Sequence, residues 1–212
     1  MNDDLDRDLS PQALLARAYA LKDAEQSLAL YRDWAESYDA TMLDGLGYLT
    51  PALTAALLLR FLPDQDTAIL DVGTGTGLAG AELAARGFNC IDGIDISPQM
   101  LGVAGSRSVY RNLVEADLTR PLPLPDAAYG AMICTGTFTH AHVGAQCLDE
   151  LMRLLEPGGI LACTIHGDVY DPAGFSRWLE GNNSIEMLYR EAGTYYRDSV
   201  TPEGLYLVWR KL

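Results

Sequence analysis

At 212 residues, with 49% hydrophobic and 21% charged side chains, the chain has the length of one domain and enough apolar content for a large core. Its 29 acids against 15 bases leave a formal net charge of −14, which sets it against nucleic acids and anionic membrane surfaces, because both are bound through lysine and arginine. No apolar run approaches the roughly 18 residues of a membrane span, and MNDDLDRDLS is no signal peptide, so a cytoplasmic protein acting on a small molecule is expected, with no nucleic-acid or membrane partner.

Ser10-Pro11 supplies a cap followed by the residue favoured at the first helical position, which predicts a helix with Leu14, Leu15, Ala18 and Leu21 on one face. Residues before it read as frayed. A second helical stretch runs from Ala24 to Tyr38 with Leu28, Tyr31, Trp34, Ala35 and Tyr38 aligned, and Thr50-Pro51 repeats the cap ahead of an apolar helix, Ala52 to Leu62, that ends at Pro63. From Thr67 strand and helix alternate: strand 67–72, helix 78–86, strand 88–96, helix 98–106, strand 110–116. That order means right-handed βαβ units and a parallel sheet.

The prolines of RPLPLPDAAY make a rim loop leading to a strand Ala131 to Thr135. Helix 143–156 stops at Pro157-Gly158-Gly159, and Ile160 to His166 is the fifth strand. A helix from Ala173 to about Leu179 and another from Ser184 to Ala192 follow, with Gly193 ending the second. Thr194 to Val200 and Leu205 to Lys211 then alternate around Thr201-Pro-Glu-Gly204 as an antiparallel hairpin.

The stretch that the rest serves is ILDVGTGTGLAG, Ile69 to Gly80: a buried strand, three glycines in five residues and a helix start, where free N–H groups point at a ligand. Gly75-Thr-Gly77-Leu-Ala-Gly80 matches the dinucleotide fingerprint, with Asp95 about twenty residues on as the ribose-binding acid. The overlapping frame, Asp71-Val-Gly73-Thr-Gly75-Thr-Gly77, places an acid before the glycines. An acid there suits the ammonium and sulfonium charge of S-adenosylmethionine (SAM) better than a pyrophosphate. Ser97 and Pro98 start the next helix and so hold Asp95 at a strand's carboxyl end.

With DVGTGTG, Asp95 in GIDISPQML, Asp117 in EADL and LEPGG in this order, the chain resembles the class I SAM-dependent methyltransferases from about Tyr31 onward. YRDWAESYD and GTFTHAHVG are similar to segments of the small members related to the Williams-Beuren-region methyltransferase-like protein. The resemblance implies an α/β, Rossmann-like, seven-stranded and mostly parallel sheet with a C-terminal antiparallel hairpin. It also implies a helical cap, residues 1–50, on a methyltransferase domain, residues 51–212. Tyr31, Trp34, Ala35, Tyr38 and Asp39 would form a lid over the methionine end of SAM. The expected cofactor set is Tyr31, Tyr38, Asp71, Gly73, Thr74, Gly75, Gly77, Asp95, Ile96, Met100, Asp117, Leu118 and Thr135. In it Asp95 accepts the ribose hydroxyls, Asp117 and the Leu118 N–H meet adenine, and Asp71 acts through water or backbone amides.

All three histidines, His140, His142 and His166, follow the fourth and fifth strands, on the edge where a methyl acceptor lies, and any of them is a candidate base near neutral pH. Trp34, Phe138, Tyr170, Phe175 and Trp178 are candidates for a wall that excludes water. Cys90, Cys134, Cys147 and Cys163 fall singly, without metal spacing, and read as reduced thiols; no metal is expected. The expected activity is methyl transfer by in-line displacement from SAM to an oxygen or nitrogen of a small molecule, leaving S-adenosylhomocysteine (SAH). The alternatives are a nicotinamide-dependent oxidoreductase and a SAM-binding module without turnover.

Overall fold

In the strand Ile69–Val72 (β1) every residue is buried, and successive side chains enter different cores: Ile69 on one sheet face, Leu70 and Val72 on the other. The computed structural model describes residues 10–21, 24–62, 64–140 and 143–212, with the backbone alone for Ala24, Glu25 and Ser27. The expected fraying before residue 10, the helix stop at Pro63 and the position of His142 lie outside the described residues.

Helices Pro11–Tyr19 (α1) and Ala24–Trp34 (α2), a π-helical turn Ala40–Gly45 and helix Thr50–Leu59 (α3) precede β1. Ser10 Oγ accepts from Ala13 N–H as the sequence predicts, whereas α3 is preceded by Leu49 with no side-chain cap, and Thr50 lies inside the helix. Then come helix Leu78–Ala84 (α4), strand Ile91–Asp95 (β2), helix Pro98–Ser106 (α5), and strands Asn112–Glu115 (β3) and Tyr129–Phe138 (β4). Helix Cys147–Leu154 (α6), strand Leu155–His166 (β5), short helices Gly167–Tyr170 (α7) and Phe175–Gly181 (α8), and strands Ile185–Gly193 (β6) and Gly204–Lys211 (β7) complete the chain.

The seven strands form one sheet in the order β3-β2-β1-β4-β5-β7-β6, parallel from β3 through β5 and antiparallel at β5–β7 and β7–β6. The fold class therefore stands as expected, but its last hairpin is built from a different segment. Ser184 to Ala192 is not a helix: Ile185–Gly193 pairs with β7 along its length. Thr194 to Val200 belongs to the connection between them, where Leu49 N–H donates to the Tyr195 carbonyl and Tyr48 bridges Tyr196. Helix 143–156 is also shorter than expected. Leu155 already pairs with Tyr129, and the turn at Pro157-Gly158, where φ of Gly158 is 80°, is a register shift within β5.

One apolar cluster joins Leu14, Leu30 and Trp34 of the N-terminal helices to Ile69, Ile133 and Ala162 of the sheet. The opposite face packs Leu148 and Leu151 of α6 and Phe175 of α8 against Leu70, Met132 and Trp209. Each fully buried Leu or Ile contributes about 1.5–3 kcal/mol, so both faces fix the sheet firmly and leave its carboxyl edge free for loops.

Candidate active site

Strand order reverses between β1 and β4, and open α/β sheets bind ligands at that point beyond the strands' carboxyl ends. There the structure has a cleft whose floor is Gly73 to Thr76 and whose opposite wall is Thr135 to Thr137. Gly73 takes φ 66°, and a side chain on it would sit 2.0 Å from Thr137 Oγ1, so the close approach of loop to β4 requires glycine. At Gly75, φ 54°, an added Cβ would meet nothing within 4 Å; the space beside the backbone is open. β4 reaches beyond its expected end at Thr135 and shifts register between Cys134 and Phe138, around Gly136 at φ 71°. That irregularity carries Thr135 to Thr137 into the cleft.

Asp95 ends β2 inside the cleft, where Gly75 N–H donates to its Oδ2 at 2.7 Å and Ser97 N–H to its Oδ1 at 2.9 Å. Burial pushes its carboxyl up, against the pull of those amides. Ser97 also accepts from Met100 N–H, the predicted cap. Ile96 is 38% exposed beside Met100, Ala116 and Leu118, an apolar surface left uncovered in the cleft. At its far end the amide and hydroxyl of Thr119 both donate to Asp117 Oδ1. Partial burial would raise the Asp117 carboxyl, but these two donors and the Arg120 guanidinium hold it below its usual range.

Asp71 and Gly77 are not among the cleft-lining residues. Asp71 is fully buried behind the loop, where Tyr110 Oη donates to its Oδ2 at 2.6 Å, and burial pushes its carboxyl up to about 7. It ties the loop to the segment before β3. Gly77, φ 87°, is the N-cap of α4 and lies against Arg107 and Tyr110.

The cap closes the cleft with Leu28, Tyr31, Tyr38 and Tyr48, and Pro51 and Val143 complete that end. Burial holds the phenols of Tyr31, Tyr38 and Tyr48 protonated, so they act as wall and hydroxyl donors rather than bases. Trp34 is packed inside the cap, between Tyr31 and Tyr38, with its Nε1 donating to Thr41 Oγ1. Asp39 fastens the cap to the glycine loop: Thr76 Oγ1 donates to its Oδ1 at 2.5 Å, and Arg107 pairs with its Oδ2 while Arg107 Nε donates to the Thr76 carbonyl.

The other aromatic candidates for the wall pack elsewhere: Phe138 against Phe175, Trp178 against Trp209, and Tyr170 under Arg190. His140 and His166 come together, ring centroids 4.8 Å apart, under Tyr19 of α1 and beside Asp168; neither lines the cleft.

These residues fit SAM. The cleft offers acceptors at Asp95 and Asp117 for ribose and adenine donors, an exposed apolar patch between them for the ring, and open space over Gly75.

A family described as a methyltransferase domain matches residues 70–163. Methyltransferase-like protein 27 of Homo sapiens is 31% identical over 201 residues, covering 92% of this chain and 74% of that protein. The chain belongs to the class I SAM-dependent methyltransferases. The demethylmenaquinone methyltransferase of Deinococcus radiodurans is 40% identical to the new methyltransferase over 98 residues, 44% of this chain and 40% of that protein. Among solved structures, the complex of DhpI with SAH superposes with a TM-score of 0.61 at 20% identity, over 88% of this methyltransferase and 96% of that chain. SAM is accordingly the cofactor. Sequence reasoning missed Tyr48, Thr76, Arg107, Gly136 and Val143 of the methyltransferase's cleft and clamp, whereas Thr137, whose hydroxyl the sequence offers to this rim, does line it. For Gly136 alone there was a signal, a glycine within the apolar run AMICTGTF.

Proposed function

We propose that this methyltransferase acts on an uncharged or cationic small molecule, at an oxygen or nitrogen. One observation supports the reading: among the described residues that line the cleft, the only charged side chains are the acids Asp95 and Asp117. An anionic acceptor would find no lysine, arginine or histidine among the described lining residues to compensate its desolvation. Arg190 lies over the Tyr170 ring and is not among the lining residues. The tyrosines at the cap end suit a ring or an ammonium group, through stacking and cation–π contacts. The name of the Deinococcus relative, which acts on demethylmenaquinone, agrees with a small acceptor bearing a ring.

When bound, SAM supplies a methyl group activated by its sulfonium. The cofactor roles of the sequence-derived set carry over to the residues that line the cleft: Asp95 for the ribose, Asp117 and Leu118 for adenine, Ile96 and Met100 against the ring. Gly73, Thr74, Gly75 and Thr135 surround the methionine end, with Tyr31 and Tyr38 above. The chain's own contribution is alignment and exclusion of water, with the cap as cover. A hydroxyl or ammonium acceptor must also lose a proton. His140, which stands in the chain between cleft residues Thr137 and Val143, and His166, at the end of β5, are retained for that role.

Radiolabelled SAM offered with a panel of phenols, hydroquinones, amines, carboxylates and phosphate esters tests the reading. Transfer is expected to members of the first three classes. Transfer confined to carboxylates or phosphate esters would overturn it, and so would tight NAD binding without SAH binding in calorimetry.

A further inference from the structure

Beside the cleft, and outside its lining, the fold gathers two imidazoles and a carboxylate from three places in the chain. His140 follows β4, His166 ends β5, and Asp168 lies in α7. One donor atom from each lies within 4.8 Å of the others. We propose that His140, His166 and Asp168 form a three-ligand seat for a divalent transition cation of the zinc class, a departure from the expectation that no metal is held.

The distances decide how much must move. Zinc bonds of roughly 2.0–2.2 Å to nitrogen and oxygen imply ligand atoms about 3.3 Å apart in a tetrahedron. His140 Nε2 and Asp168 Oδ2 are 3.3 Å apart, and His166 Nδ1 is 3.8 Å from the same oxygen. One edge therefore has its final length and the second is about half an ångström long. The Asp168 side chain is 73% exposed and free to follow the cation.

The side chains also present the atoms that ligate: His140 Nε2 and His166 Nδ1 both face the Asp168 carboxylate. His140 Nδ1 is buried with no hydrogen-bond partner among the described residues, and the ring's other nitrogen, Nε2, is the one that faces Asp168. The opposing cost is one bond. Asp168 N–H donates to His166 Nδ1 at 3.2 Å, and ligation there displaces it. Two nitrogens and one carboxylate oxygen select zinc, cobalt or nickel over magnesium or calcium, and three protein ligands leave a position open. The Tyr19 ring, 5.1 Å from each imidazole, shelters the corner. The proposed function enters in making this the acceptor's side of the cleft, and a metal here takes the place of the two imidazoles as bases, because a ligating nitrogen has no lone pair left for a proton.

The test uses untagged full-length protein, stripped with a chelator, desalted and titrated with Co²⁺ by visible absorption, then challenged with Zn²⁺. One Co²⁺ per chain, displaced by Zn²⁺, is expected. Asp168→Asn and His140→Ala should each weaken it at least about tenfold, as loss of groups supporting a metal does, while SAH binding by calorimetry stays unchanged. No stoichiometric Co²⁺ uptake would overturn the proposal, as would uptake equally tight in both variants. Because neither measurement needs an acceptor, failure of the acceptor panel and failure of the metal seat are separate results.

Discussion

The two halves of the sheet's carboxyl edge are built differently. On the β1–β2–β3 side the cleft is made by backbone turns and carboxylates at strand ends: Gly73, Gly75, Asp95 and Asp117, all within 45 residues of sequence. On the β4–β5 side it is made by side chains from distant segments, Tyr31, Tyr38 and Tyr48 of the cap against Thr137 and Val143. On the proposed reading, the first half holds the ribose and adenine of a cofactor common to a family and needs fixed amides and acids. The second, on the same reading, covers the methyl and shapes the acceptor, and is assembled from bulk. Two carboxylates in the first half sharpen the contrast: Asp95 faces the cleft, whereas Asp71 braces the loop from behind.

If that division of labour holds, Asp71 governs stability and its substitution should show the largest effect. Burial pushes its folded carboxyl up to about 7, far above the ordinary range of an aspartate, with Tyr110, Asp95 and Cys134 as its neighbours. A raised folded value means that the stabilising contribution is complete below about pH 4 and is lost as pH climbs toward 7. A rise of that size corresponds to roughly 4 kcal/mol at most between these limits. Urea denaturation at pH 5 and pH 8 should show the loss in the parent chain and a much smaller one in Asp71→Asn. The amide can still accept from Tyr110. Equal pH dependence in both proteins would show that Asp71 is not the titrating brace.

Asp95→Ala should do the opposite, sparing the fold and emptying the cleft. Loss of hydrogen bonds to a charged group costs about 1.5–3 kcal/mol, which calorimetry would read as an SAH affinity lower by roughly ten- to a hundredfold or more. Gly75 N–H and Ser97 N–H lose a partner as well, but both are at the cleft, where water replaces it. A variant that unfolds, with binding lost only in proportion, would make Asp95 a second brace and erase the distinction.

The same division explains what was legible in the sequence. The cofactor half could be read because glycines with positive φ and strand-end acids leave short, local signatures. The cap could be placed from Tyr31 and Tyr38, but Tyr48 and Val143 have no local pattern that distinguishes them from core. Asp71 matched a motif, and only the fold shows that its carboxyl meets Tyr110 rather than lining the cleft. β6 was misread for a specific reason. Its partly buried residues Ile185, Leu188 and Tyr189 stand at i, i+3 and i+4, a helical period, because a register shift between Met187 and Tyr189 breaks the strand's alternation. Glu186, Met187, Leu188, Arg190, Glu191 and Ala192 favour helices locally, and pairing with β7 overrides them.

The smallest expected effect lies where the two halves meet, at the clamp of Asp39, Thr76 and Arg107. Asp39 and Arg107 are about a third and a quarter exposed, so their ion pair is worth at most about 1 kcal/mol, and the fold does not depend on it. Yet it joins the cap to the loop that shapes the cofactor floor, so a small loss of stability should appear as a local change. Asp39→Asn is expected to leave the melting temperature within a few degrees and to speed SAH release a few-fold, about what 1 kcal/mol allows. Hydrogen exchange should rise between residues 28 and 45 in the SAH complex, while the amides of β1 and β2 keep their protection. The reversed pair, Asp39→Arg with Arg107→Asp, should recover part of the slow release if charge is what holds the cap. It should recover none if the geometry at Thr76, whose hydroxyl needs an acceptor, is decisive. Equal exchange of the cap in parent and Asp39→Asn, with and without SAH, would mean that Leu30 and Trp34 hold it by packing alone and that the two halves of the cleft are not coupled through this clamp.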